Sequence, residues 1–206
     1  MKSSQHGDAV YLGLGATYHD PALAVVGASG AVLFAEATER FLQYKRALNC
    51  EPDNPFLLPD LLRDHCPDAG RFVVAVNWRR ERPWYEHLAR TLGWLRPDGI
   101  LAYRGRRLAA CLDTWELNHM QACQHLALRR AGLNLARALR QIYPTARVEL
   151  RHYDHHLSHA ALACFGSPFD EAACAVIDSY GERGSLAFFE YRDGRLRPRH
   201  VARGPE

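Results

Sequence analysis

Residues 9–37, AVYLGLGATYHDPALAVVGASGAVLFAEA, read as three strands joined by two turns. Apolar residues run from Ala9 to Ala16, stop at the polar corner Thr17-Tyr18-His19-Asp20, resume from Ala22 to Ala28, turn at Ser29-Gly30 and continue from Ala31 to Ala37. Pro21 has no amide hydrogen to give a neighbouring strand, and it sits at the corner where that lack is harmless. Residues 171–201 repeat the design: Ala172 to Ile177, the glycine-bearing turn Asp178 to Gly184, Ser185 to Tyr191, the Asp193-Gly194 turn, then Leu196 to Val201. Self-similarity of this kind predicts two related lobes. Residues 1–166 are expected to form the first, including a histidine-rich helix, and residues 167–206 only the opening strand unit of a truncated second.

Between the two units the pattern predicts a short helix over Leu57 to His65 and a buried strand over Phe72 to Asn77. Helical stretches follow from Trp84 to Trp94 and from Arg107 to Tyr143. The latter is too long for one ordinary helix, so Gly132 is expected to divide it, with Leu126, Arg129, Leu133, Ala136 and Leu139 as one stripe. A strand from Val148 to Arg151 leads into the histidines. Strands alternating with helices predict an α/β protein with a mixed sheet.

The chain has 206 residues, 48% of them hydrophobic and 24% charged, the composition of a folded globular protein rather than a disordered one. Apolar runs such as Ala172 to Ile177 fall far short of the roughly 18 residues of a membrane span, and no signal-peptide pattern opens the chain. A cytoplasmic location is expected. The six cysteines show no C-x-x-C spacing and read as reduced, mostly buried thiols. Basic residues are nearly all arginine, but the runs around Arg79-Arg80-Arg82 and Arg104-Arg106-Arg107 are short and the net charge is only +3, which argues against a nucleic-acid partner.

Four of eleven histidines, His152, His155, His156 and His159, fall within eight residues. Asp154 as a cap, the Ala- and Leu-rich run from His155 to Phe165, and Gly166 with Pro168 beyond it predict one helix. His155 and His159 then share a face, about 6 Å apart along the axis, where two imidazoles can converge on one cation. The positive end of the helix dipole disfavours imidazolium there and keeps both rings neutral, as ligation requires. His156 stands where a zinc protease needs glutamate as its general base, so the H-E-x-x-H chemistry is excluded. A third ligand must come from another element; Asp178, at the end of an apolar strand, is placed for it, though a plain turn aspartate is equally compatible with the sequence. Imidazole and carboxylate suit iron, zinc and manganese alike.

The corners Gly15 to Asp20 and Asp178 to Ser185 offer small or polar residues whose amides can approach phosphate oxygens: Gly15 in the first, Ser179, Gly181, Glu182 and Gly184 in the second. No Walker motif is present, and a strand rather than a helix follows Gly13-Leu14-Gly15, so no dinucleotide fingerprint is formed. Matching corners on duplicated strand units fit an actin- or sugar-kinase-like ATPase lobe.

Four segments carry a more specific likeness: Gly13 to Val26 (GLGATYHDPALAVV), Glu36 to Arg46 (EATERFLQYKR), Asp154 to Ala161 (DHHLSHAA) and Ser167 to Glu182 (SPFDEAACAVIDSYGE). In order and spacing they resemble the N-terminal part of the O-carbamoyltransferases of nodulation-factor and antibiotic biosynthesis, relatives of the tRNA threonylcarbamoyladenosine enzyme. The chain departs from that pattern at Ser179, where glycine is usual, and at Tyr18, where a small residue is. The resemblance implies a divalent metal, iron, held by His155, His159 and Asp178, and His19, with Asp20 beside it, as the base that activates an acceptor hydroxyl. It further implies ATP and carbamoyl phosphate as substrates of the complete enzyme, a carbamoyladenylate formed in a separate C-terminal domain, and a small-molecule hydroxyl acceptor. The rest of the second lobe and the adenylate-forming domain are then expected partners, as a separate chain or through a dimer. A non-catalytic metal- or partner-binding module left by truncation is the competing reading.

Overall fold

The computed structural model describes residues 9–79, 128, 130–178 and 185–201, which form two sheets and their covering helices. Alternation sorts strand β1 (Ala9–Gly15): Val10, Leu12 and Leu14 point into the core, each no more than 3% exposed. β1 pairs antiparallel with β2 (Ala22–Val26), which pairs antiparallel with β3 (Val32–Ala37). β2 ends two residues before the expected Ala28, because Gly27 N–H donates to Ala31 O and Gly30, at φ +87°, donates to Gly27 O. The reversal thus begins at Gly27. On the other side of β1, β4 (Arg71–Val76) and then β5 (Arg147–His152) run parallel to it, giving the order β3-β2-β1-β4-β5. The chain is therefore α/β with a mixed sheet and helices, as expected from the alternation of strands and helices along it.

Two helices cover this sheet. α1 (Thr38–Leu42) is a short turn after β3, whereas α2 (Leu58–His65) and α3 (Leu133–Ile142) bury Leu58, Leu61 and Leu62, and Leu135, Ala136 and Leu139, respectively. Gly132 does break the long predicted helix. Its φ is +88°, and a Cβ there would lie 2.7 Å from Leu150 Cδ1, so both backbone and space demand glycine. Ala136 and Leu139 of the expected stripe are buried, whereas Leu133, in the first turn after the break, is 44% exposed and Leu135 joins the buried face. Leu126, Arg129, the helix predicted from Trp84 to Trp94 and the start of the next one lie outside the described residues.

Asp53 fastens the restart of α3. Its buried Oδ2 accepts the N–H groups of Gly132, Asn134 and Leu135 at 2.9, 3.0 and 3.1 Å. These are amides that the helix itself leaves without partners. Burial nevertheless outweighs the three donors and pushes the carboxyl up to about 6.

The second unit is an antiparallel sheet in the order β6 (Glu171–Ile177), β7 (Leu186–Arg192), β8 (Arg195–Val201), with its hairpin at Asp193-Gly194. Its inner face, Val176, Ala187 and Phe189, packs on Ala160 of α4 (His155–Phe165) in a core separate from the first. The histidine-rich helix, assigned from sequence to the first lobe, thus follows β5 but rests its apolar face on the second sheet. Ala173, Ala175 and Ile177 on the outer face of β6 are exposed. Among the described cysteines all four are free thiols, Cys66 and Cys164 buried, Cys50 and Cys174 half-buried. No helix among the described residues is long and apolar enough to cross a membrane.

Candidate metal centre

The parallel strands β1, β4 and β5 end on the same edge of the first sheet, at Gly15, Val76 and His152. Ligand sites gather at such carboxyl ends. Tyr153 N–H donates to Val76 O at 2.8 Å, and two residues later α4 begins. Asp154, in extended conformation, starts it: its Oδ1 accepts the Leu157 N–H at 3.1 Å, while Arg79 Nε lies 3.6 Å from Oδ2. The cap, the helix and its end at Phe165 match the sequence expectation.

One helical turn apart, the rings of His155 and His159 stand at 86° with centroids 4.5 Å apart. Asp178, just past the end of β6, completes a triangle. His155 Nε2 lies 3.0 Å from Asp178 Oδ2 and 3.1 Å from His159 Nε2, and His159 Nε2 lies 3.7 Å from Asp178 Oδ2. A single N–H on His155 Nε2 cannot serve a carboxylate and a second ring nitrogen at once, whereas three lone pairs turned to one point can share a cation. A point about 2.1 Å from all three atoms exists roughly 0.9 Å out of their plane, the bond length expected for imidazole and carboxylate on a divalent metal. The donor set of two imidazoles and one carboxylate suits iron, zinc and manganese alike. His155 is buried, Asp178 half-buried and His159 exposed, so the third vertex faces solvent.

The other histidines of the cluster have different surroundings. His152 Nδ1 lies 3.0 Å from Trp78 O, and buried His156 has no hydrogen-bond partner for Nε2 among the described residues. Trp78, which sequence reasoning did not single out, is 2% exposed and sits with its ring 5.0 Å from that of His155. Tyr18 also meets it edge-on, with ring centroids 6.0 Å apart. Two ring contacts therefore connect the first corner to His155, and the bulky Tyr18 is part of that connection.

At the corner, His19 Nδ1 lies 2.7 Å from Asp20 Oδ2. A carboxylate only accepts, so Nδ1 carries the hydrogen, and in the neutral ring Nε2 keeps its lone pair for another partner. Both side chains are about half exposed. Gly15 ends β1 opposite Ala22, where an added Cβ would make ordinary contacts at 3.6 Å. Two corner amides are already engaged: Ala16 N–H with Asn77 Oδ1 at 2.6 Å and Asp20 N–H with Arg46 O at 2.7 Å. A phosphate at this corner would have to use others. Ser179, Gly181, Glu182 and Gly184 of the second corner lie outside the described residues.

No family model matches the chain. Among curated proteins, an uncharacterized protein of Synechocystis sp. is 30% identical over a match that covers 91% of this chain and 28% of that protein. The chain thus spans less than a third of that relative's length. Among solved structures, the Lmo2764 protein of Listeria monocytogenes, a proposed N-acetylmannosamine kinase, matches with a TM-score of 0.37 and 12% identity, over 91% of this chain and 49% of that one.

Proposed function

We propose that the chain is the N-terminal part of a metal- and ATP-dependent O-carbamoyltransferase, built as an actin- or sugar-kinase-like lobe plus the opening strands of a second. The convergence of His155, His159 and Asp178 within 4.8 Å carries the reading. The strand order of the first sheet and the repetition of its first three strands in β6–β8 support the lobe assignment. In this reading the three side chains hold a divalent cation, iron, which when bound supplies positive charge to phosphate or carbonyl oxygens nearby. Asp20 holds the Nδ1–H of His19, and His19 Nε2 takes the proton of the acceptor hydroxyl. The hydroxyl oxygen bonds to the carbamoyl carbon of carbamoyladenylate as the bond to the phosphate oxygen breaks and AMP leaves. The acceptor is a small-molecule hydroxyl compound of natural-product biosynthesis.

The adenylate is made elsewhere, on a C-terminal domain that joins as a separate chain or through a dimer. The exposed apolar face of β6 supports a partner for the second sheet. The engaged amides of Ala16 and Asp20 favour the competing reading, a metal- or partner-binding module without catalysis. Carbamoyl transfer separates the two. With the remaining domains supplied as a separate chain, His19→Ala should lower transfer by about 10²- to 10⁴-fold while leaving bound metal unchanged. No transfer by the unaltered chain, or a loss below tenfold in the variant, would remove the catalytic reading.

A further inference from the structure

Among the described residues, five of the six non-glycine residues with positive φ lie at Asp20 and in the segment from Gln43 to Asn49 that bonds to it; Asp193, in the β7–β8 hairpin, is the sixth. Asp20 at φ +55°, Gln43 at +50°, Arg46 at +66°, Ala47 at +39° and Asn49 at +57° all adopt left-handed conformations without being glycine. L side chains rarely accept this region, and such residues persist only where the surroundings over-determine them. Here the surroundings are mutual. Asp20 N–H donates to Arg46 O at 2.7 Å, Asn49 N–H to Tyr18 O at 3.0 Å, and Arg46 N–H to Glu39 Oε2 at 2.8 Å. Arg46 Nε also stands 3.6 Å from Asp20 Oδ2, the same oxygen that takes the Nδ1–H of His19.

We propose that Arg46 is a positioning residue that fixes His19 in its Nδ1–H tautomer, by holding Asp20 through both the backbone and the carboxylate. Its importance for catalysis rests on the reading of His19 as the base. The physical need is plain, because a half-exposed aspartate on a surface corner would otherwise turn its carboxylate into water. The imidazole would then revert to the Nε2–H form that predominates in free histidine, and no lone pair would remain on the outward nitrogen. Arg46 opposes this with one contact to the backbone of Asp20 and one to its side chain. The left-handed residues Gln43, Arg46, Ala47 and Asn49 turn the chain back so that one residue can make both.

The tautomer is measured directly by two-bond ¹H–¹⁵N correlation of the ¹⁵N-histidine-labelled 206-residue chain in alkaline buffer, with the His19 signals assigned by their loss in His19→Gln. The unaltered chain should show a protonated Nδ1 and an unprotonated Nε2. In Arg46→Gln the ratio should invert, with unchanged circular dichroism. If that variant does not fold, Arg46→Lys, which keeps the charge but lacks the Nε donor, is read in the same way and should give a mixture. An Nε2–H tautomer in the unaltered chain, or an unchanged ratio in the folded Arg46 variant, overturns the proposal. Because no carbamoyl transfer is involved, failure of the catalytic reading leaves this result standing, and the reverse also holds.

Discussion

Asp53 gives the sharpest quantitative test of the packing. Its carboxyl is pushed from 3.8 to about 6 by burial, in spite of the amide hydrogens of Gly132, Asn134 and Leu135 on one oxygen. A folded-state pKa above the unfolded one means that the acid form is the one folding favours. Its contribution is fully present below pH 3.8, declines as pH rises, and is lost once pH passes about 6. At 1.36 kcal/mol per unit the difference amounts to about 3 kcal/mol. Asp53→Asn keeps an acceptor oxygen for the three amides and does not titrate. Other carboxyl groups impose their own slopes, so the quantity to follow is the stability of the unaltered chain minus that of the variant. Urea unfolding at pH 4, 5, 6 and 7 should show this difference falling by about 2.4 kcal/mol from the lowest to the highest pH, a relative midpoint change of about 0.8–2.4 M. Parallel curves, or a difference that grows with pH, would refute the reasoning, because they would mean that the three amides stabilise the carboxylate more than burial penalises it.

At the metal centre, ferrous iron at a hundredfold excess over its dissociation constant should stabilise the chain by about 2.7 kcal/mol, roughly 5–10 °C in Tm. An equal shift in the His155→Ala/His159→Ala double variant, read anaerobically by thermal melting, would contradict the assigned ligands. Glu149 is held down to about 2 by hydrogen bonds from Arg71 and Arg151. A depressed pKa stabilises above the unfolded value of 4.5 and is lost as pH falls toward 2, so Glu149→Gln should flatten the acid limb of the stability curve measured by circular dichroism. Gly132→Ala combines a left-handed backbone with a Cβ 2.7 Å from Leu150 Cδ1. It should cost about 2–4 kcal/mol in chemical denaturation, and a loss below 0.5 kcal/mol would show that neither constraint binds.

Most of the fold was legible because its signals are local. Apolar runs bounded by glycine, proline and polar corners locate all eight described strands to within about two residues, and Asp154 with Gly166 brackets α4. The spacing of His155 and His159 is likewise a property of one helix. What the sequence leaves hidden depends on tertiary contact. The stripe already marks Ala136 and Leu139 as buried, but the exposure of Leu133 depends on how closely Gly132 approaches Leu150 and Val76, which no periodicity encodes. Asp53 caps a helix whose first amide is 79 positions away, so its own neighbourhood reads as an ordinary Pro-rich connection. Trp78 follows a buried strand like any core residue; only the fold brings it between Tyr18 and His155. Arg46 looks like one more solvated arginine until its left-handed backbone delivers its carbonyl to Asp20.

The meeting of His155, His159 and Asp178 also follows from the division of the chain. His155 and His159 stand at the start of a helix led in by β5 of the first sheet, while Asp178 hangs from the end of β6 in the second. Their registry is set where α4 lies on the second sheet, in a core that among the described residues buries Ala160, Val176, Ala187 and Phe189, with Leu157, Cys174, Leu196 and Val201 at its margin. Two of those four buried side chains are methyl groups, so this core contributes far less apolar area than the one around Phe72, Leu12 and Leu135. A cation held by His155, His159 and Asp178 would tie α4 to β6 at the end of that interface. Ligand binding and docking of the second sheet are then one equilibrium, and each favours the other by the same free energy.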